Sequence, residues 1–343
     1  MDVIYSERHR LRNSKTELYA GELVRPFECP ERMDYIRERL KKRGIGPMQE
    51  PEPAGLDPVL RVHDSDFVSF LETCWSDWKA AGYAGEAIAT CWPSRAMPRL
   101  VPPREIDGRI GYYALASETS ISDGTYEAAC VSADVAFSAQ RLIAGGKTTA
   151  FALCRPPGHH ASTGMFGGYC FFNNAAIAAQ GFLDGGAERV AILDVDFHHG
   201  NGTQEIFYSR NDVLFASLHG DPLDAFPYYL GGADETGSGP GEGYTLNYPL
   251  PPKTRFDAWR AALVDALGRI QSYGPDVLIV SLGVDTFKQD PISFFLLESA
   301  DFRTYGADIA RLGLPTLFVM EGGYAVEEIG INTVNVLEGF LGA

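Results

Sequence analysis

The chain predicts an α/β fold: a central, mostly parallel sheet with helices on both faces. Beyond Lys147, short apolar runs of strand length alternate with helical stretches, as parallel strands joined by helical crossovers require. Each of those runs also leads straight into polar or glycine-rich sequence. In an open α/β sheet, binding sites form just outside the carboxyl ends of the strands. The length of 343 residues admits one large domain or two smaller ones, and a 45% hydrophobic content leaves ample material for a core.

Taken in order, residues 3–6 form a first short strand, and residues 10–30 are polar and loop-like. Residues 31–42 have the composition of an amphipathic helix between Pro30 and Gly44. A second helix is expected over 64–81, where Phe67, Phe70, Leu71, Cys74, Trp75 and Trp78 recur at helical spacing and mark core or a subunit interface. Residues 82–110 lose periodicity over a length well beyond the usual connection, so they form a functional or disordered loop. Helices are expected at 112–119 and 125–144, the latter stopped by Gly145-Gly146. Strands then fall at 150–154, 189–194, 213–218, 277–282 and 316–320, with helices at 174–183, 202–208, 256–273 and 302–312.

With 29 basic and 45 acidic residues the net charge is −16, which repels nucleic acid and anionic membrane and favours a cationic small substrate. Cys29, Cys74, Cys91, Cys130, Cys154 and Cys170 form no CxxC pair, which points to a reducing compartment and away from a thiolate zinc site. The segment Met1–Glu7 lacks the basic and apolar regions of a signal peptide, and no apolar run is long enough to span a bilayer. A cytoplasmic location is the expectation.

The run from Val190 to Thr203 opens as an apolar strand and changes to acids and imidazoles where the strand leaves the core. Alternation places Asp194, Asp196 and His198 on one face and Val195, Phe197 and His199 on the other. Carboxylate oxygen and imidazole nitrogen suit a divalent metal such as zinc, and a neighbouring carboxylate can orient a histidine. The other strand ends carry Arg155-Pro156-Pro157-Gly158-His159-His160, Ser217-Leu218-His219, Gly283-Val284-Asp285 and Glu321-Gly322-Gly323-Tyr324, all of which should converge.

RPPGHH, DVDFHHGNG, GVDT and EGGY in this order resemble the arginase and deacetylase superfamily, in its zinc-dependent deacetylase branch. LRNSKTELY at 11–19, KAAGYAGEAIAT at 79–90, GGYCFFNNAA at 167–176 and DTFKQDPISFF at 285–295 extend the likeness, over essentially the whole chain, to the bacterial acetylpolyamine amidohydrolases. The resemblance implies a single domain over residues 1–343 with the arginase/deacetylase fold. It makes Asp196, His198 and Asp285 the ligands of one Zn²⁺ per subunit, with Fe²⁺ or Co²⁺ suited to the same donors. It makes His160 the general base toward the attacking water and His159 the partner that handles the leaving amine. Asp194 then bonds His159, and Asn201 bonds His160. A carboxylate favours imidazolium while an amide mainly orients the ring, so His160 stays neutral near pH 7.

In the same likeness Tyr324 donates to the substrate carbonyl as it becomes an oxyanion, its backbone bent by two preceding glycines. Tyr169 and Phe226 line the acyl channel, which Gly167 and Gly168 keep narrow. A K⁺ ion is implied at Asp194, Asp196, His198, Ser217 and Leu218, largely through backbone oxygens. The segment 82–110 is implied to build a homodimer and close the site from the neighbouring subunit. Tyr19, Asp107 and Glu118 are the residues expected to face a distal ammonium, Asp107 being shorter than the Glu expected there.

The activity expected is hydrolysis of acetylated polyamines (acetylputrescine, acetylcadaverine, acetylspermidine), against the alternatives of an acetyl-lysine peptide or protein deacetylase and a non-catalytic binder. An arginase-like pair of metals is disfavoured, because Thr286, Phe287, His198 and His199 stand where bridging carboxylates would be needed.

Overall fold

The computed structural model describes residues 1–96 and 101–343. Its first half contains β1 (Asp2–Ile4), a 3-10 turn (Glu7–Leu11), the hairpin strands β2 (Glu17–Tyr19) and β3 (Glu22–Val24), α1 (Glu31–Arg43) and β4 (Met48–Gln49). There follow α2 (Asp57–Leu60), α3 (Ser65–Ala80), α4 (Ile106–Tyr113), α5 (Thr125–Ala144), β5 (Thr149–Ala152) and α6 (Asn174–Asp184). The second half alternates strictly at first: β6 (Val190–Asp194), α7 (Asn201–Phe207), β7 (Val213–Gly220) and, after a long excursion, β8 (Thr245–Leu250). It closes with α8 (Phe256–Tyr273), β9 (Val277–Leu282), α9 (Ser299–Ala310), β10 (Thr316–Met320) and α10 (Ile329–Leu341).

The main sheet has eight strands in the order β4-β1-β5-β10-β9-β6-β7-β8, and every pairing in it is parallel. Period-two alternation sorts its side chains into two cores. Val190, Ile192, Ile279, Leu317 and Val319 join the layer of α3, α5 and α6. Ala191, Leu193, Val280, Phe318 and Met320 join that of α1, α8, α9 and α10. Central strands covered on both faces leave only their ends for polar chemistry. The carboxyl ends of β5, β10, β9 and β6 therefore share one edge.

Several expectations are corrected. Instead of a helix over 112–119, α4 ends at Tyr113 and Ala114 is extended, because Leu115 N–H bonds the Phe166 carbonyl at 2.7 Å and Phe166 N–H bonds that of Tyr113 at 2.9 Å. Tertiary pairing overrides local propensity there. The stretch 10–30 is not all loop, since it holds the β2–β3 hairpin. The loop over 82–110 is shorter than expected, ending where α4 begins and tied down by pairing of Ala87 with Ile121. Its residues 97–100 lie outside those described. The strands β4 and β8 and the helices α2 and α10 were not anticipated, and α9 begins at Ser299 rather than 302 because Glu298 and Asp301 form a capping box.

Candidate active site

β6 ends at Asp194, yet the alternation outlasts the ladder: Val195 and Phe197 remain in the core beneath the sheet while Asp196 and His198 turn to the site. Donor atoms of Asp196, His198 and Asp285 lie within 4.8 Å of one another, and all three residues are buried. Backbone groups hold the carboxylates in place. Gly322 N–H donates to Asp196 Oδ2 at 2.7 Å and Phe197 N–H to Asp285 Oδ1 at 2.8 Å. The approach demands glycine, since a Cβ at Gly322 would meet Asp196 Oδ2 and Asp285 Oδ2 at 2.5 Å.

His198 Nδ1 stands 3.0 Å from Asp285 Oδ2 and 3.3 Å from Asp196 Oδ1, and among the described residues no lysine or arginine reaches either carboxylate. Burial, and then repulsion from Asp196, push the Asp285 carboxyl above its ordinary value. Two buried carboxylates side by side are costly unless a cation lies between them. The donor set of oxygens and one imidazole thus fits a divalent metal.

The His159-His160 pair follows β5. Both expected hydrogen bonds are present: His159 Nδ1 with Asp194 Oδ2 at 3.0 Å, and His160 Nδ1 with Asn201 Oδ1 at 2.7 Å. Their electrostatics diverge accordingly. Burial disfavours charge on His159, but Asp196 and Asp194 override it and raise its pKa to about 10. Burial and the neighbouring imidazoles of His159 and His198 hold His160 well below its ordinary value, so it is a neutral ring with a free lone pair.

His160, His198, Tyr169, Phe226 and Tyr324 line one cavity of about 520 Å³, a size that suits a small ligand. Burial above all keeps the Tyr324 phenol well above its ordinary pKa, so it remains a donor. Tyr169 has φ +67°, an uncommon left-handed backbone for an aromatic residue, and follows Gly168 at φ +53°. A Cβ on Gly168 would meet the His160 ring at 2.1 Å, so glycine lets the turn pass close beneath the imidazole.

Tyr19 and Glu118 line the same cavity. Glu118 Oε1 also accepts from Gly168 N–H at 2.7 Å, so this carboxylate braces the channel turn as well as facing the opening. Asp107 is not brought into the cavity of its own chain; it lies in the first turn of α4. Ser217 adjoins Asp194 in register, its hydroxyl 2.8 Å from His219 Nδ1, and Leu218 is fully buried.

Three site residues escaped the sequence reading. Glu17 is buried, lines the cavity and accepts from the Tyr169 hydroxyl at 2.7 Å; burial chiefly pushes its carboxyl up to about 7. Glu321 Oε2 accepts from Gly158 N–H at 2.7 Å and His159 N–H at 3.2 Å, setting the backbone of the histidine pair. Asp290 accepts from the backbone of Tyr324. All lie inside motif stretches quoted above, but bonds to backbone N–H groups leave no pattern in side-chain spacing.

The histone deacetylase domain model matches residues 26–340. The acetylpolyamine amidohydrolase of Mycoplana ramosa is 59% identical over 343 residues, covering 100% of both chains. Acetylpolyamine amidohydrolase 2 of Pseudomonas aeruginosa is 55% identical, covering 100% of this chain and 99% of its own. The crystal structure of the acetylpolyamine aminohydrolase of Burkholderia pseudomallei superposes with a TM-score of 0.94 at 37% identity, covering 99% of this chain and 98% of that one. Whole-length likeness of this order, on a fold whose strand ends carry the expected motifs, places the chain in the histone deacetylase family, among its acetylpolyamine amidohydrolases.

Proposed function

We propose that the protein is a metal-dependent amidohydrolase that removes acetyl groups from acetylated polyamines such as acetylputrescine, acetylcadaverine and acetylspermidine. The observation that carries this reading is the convergence, at one cavity, of the Asp196-His198-Asp285 group with a neutral His160 and with Tyr324. Asp196, His198 and Asp285 would hold the ion, taken to be Zn²⁺, with Fe²⁺ or Co²⁺ suited to the same donors. When bound, it supplies Lewis acidity toward the acyl oxygen and acidifies a water.

His160 takes the proton of the attacking water, Asn201 having fixed which ring nitrogen faces it. His159, held as imidazolium by its carboxylates, supports the proton inventory as the amine leaves. Tyr324 donates to the carbonyl oxygen as negative charge develops there. Tyr169 and Phe226 enclose the acyl-bearing end of the chain. The acids Glu17, Glu118 and Asp224 around the cavity favour a slender cationic substrate, as does the net charge of −16. Tyr19 adds a wall.

Finer assignments belong to the same proposal. K⁺ would sit at Asp194, Asp196, His198, Ser217 and Leu218. The segment 82–110 would build a homodimer, and Asp107 would act only on the neighbouring subunit's cavity. The protein is read as cytoplasmic, with no nucleic-acid or membrane partner; no helix among the described residues is long and apolar enough to cross a membrane.

The test is acetate release from acetylputrescine by zinc-loaded protein, with chelated protein and Tyr324→Phe alongside. Chelation should abolish turnover and added metal restore it, while Tyr324→Phe should lose on the order of 100- to 1000-fold. Turnover that survives both would sink the reading.

A further inference from the structure

The phenol of Tyr324 must sit accurately to meet a developing oxyanion, and its buried ring is held by packing, while no polar group fixes the hydroxyl. Among the described residues its hydroxyl has no hydrogen-bond partner; the ring lies edge-on to Tyr169 at 5.5 Å and beneath the Arg32 guanidinium at 5.0 Å. The two residues before it are glycines, and Gly323 has φ +132°, a conformation open to few other residues. Beside that packing, the position of the phenol is set by what grips the backbone of its turn.

That grip has two sides. Arg32 Nε donates to the Gly323 carbonyl at 2.7 Å. From the opposite direction Asp290 Oδ2 accepts from Tyr324 N–H at 2.7 Å and from Ala325 N–H at 3.2 Å. Asp290 is only 7% exposed, and its second oxygen accepts from Ile292 N–H at 3.1 Å. Ile292 belongs to the run from Pro291 to Phe294 that lines the cavity. One buried carboxylate thus ties the cavity wall to the turn that bears Tyr324.

We propose that Asp290 is a positioning residue for the reaction: it fixes the Tyr324 turn against the cavity wall and so sets the phenol against the substrate carbonyl. Asp290 does not line the cavity, and it acts through Tyr324 alone. The role rests on the reading of Tyr324 as the oxyanion donor.

The test is a double-mutant cycle on the zinc-loaded enzyme with acetylputrescine, reading kcat and KM separately and the thermal midpoint of each variant. Asp290→Asn sets an amide NH₂ either against the Ile292 N–H or against the N–H groups of Tyr324 and Ala325, and so breaks one side of the tie between wall and turn. It is expected to lower kcat by roughly 10- to 100-fold, as a displaced catalytic group does, with KM changed by less than about 3-fold. In the Tyr324→Phe background the same substitution should cost nothing further, because the group it positions is gone. A merely structural defect would lower both backgrounds by the same factor, and that result overturns the proposal. So does a kcat unchanged by Asp290→Asn while Tyr324→Phe is nearly inactive. If Asp290→Asn does not fold, Asp290→Ser, which keeps one acceptor, enters the same cycle with the same expectations. A wild-type enzyme that releases no acetate from any acetylated diamine overturns the reading of the site and the role of Asp290 together, whereas wild-type turnover indifferent to Asp290 overturns the role alone.

Discussion

His159 and His160 are adjacent in sequence but differ in charge: Asp196 and Asp194 hold His159 as imidazolium, while burial and the imidazoles of His159 and His198 keep His160, whose ring nitrogen bonds the Asn201 amide, neutral. Substituting Asn201→Asp would give His160 its own carboxylate and favour imidazolium. The base form would then exist only at higher pH, so the acid limb of kcat/KM should move up by about 1–3 pH units and activity near pH 7 should fall. A pH–rate profile checks this; an unmoved acid limb would mean that His160 is not the titrating base. The ring partners were legible in the sequence because the motifs name them directly. Glu17, Glu321 and Asp290 were not, since each was an ordinary acid until the fold placed a backbone N–H or a phenol beside it.

Among the elements, the segment before α1, α1 itself and the end of β5 meet at Glu28, which is buried with Arg12, Arg32 and Arg155. Arg155 engages it twice, at 2.7 and 3.1 Å. Burial alone would raise the Glu28 carboxyl, but Arg155, Arg32 and Arg12 together draw it down to about 2. Glu28→Ala leaves buried guanidinium groups uncompensated and should cost about 3–5 kcal/mol in chemical denaturation of the metal-loaded protein. A loss under about 1 kcal/mol would contradict this account of the junction.

Long periodic elements were read to the residue, as with α5 at Thr125–Ala144, α8 and β9. Missed elements owe their form to packing. The helix α10 carries two glycines that let it approach its neighbours: a Cβ on Gly330 would meet the Tyr35 carbonyl oxygen at 2.3 Å, and one on Gly339 that of Arg303 at 2.0 Å. Such close contact stabilises a sequence whose own helical preference is weak.

For the molecule as a whole, acid stability is tied to buried neutral imidazole. His63 places Nδ1 2.9 Å from the Ser162 carbonyl and accepts from Asn173 N–H on Nε2 at 2.9 Å, so it fits only as the neutral ring. Burial lowers its pKa to about 4. The unfolded chain takes up this proton near 6.5 and the folded one only near 4, so stability present above about pH 6.5 is lost as pH falls, by roughly 3 kcal/mol at pH 4. Denaturation at pH 7 and 4.5 should show a smaller loss for His63→Gln than for wild type; equal losses would contradict it.

Fold class and the order of strand-end motifs were visible in the chain because a fully parallel sheet writes its chemistry at strand ends. The acidic opening was visible only in part: Glu118 was expected there, but Glu17 and Asp224 reach it only through the β2–β3 hairpin and the segment after β7. That opening makes the choice of substrate measurable. The most direct measurement is kcat/KM for acetate release by zinc-loaded protein from acetylputrescine, acetylcadaverine and acetylspermidine against an acetyl-lysine peptide. The acetylated polyamines should lead. A peptide turned over faster than all of them would leave the fold and the metal site standing and contradict the assignment of substrate.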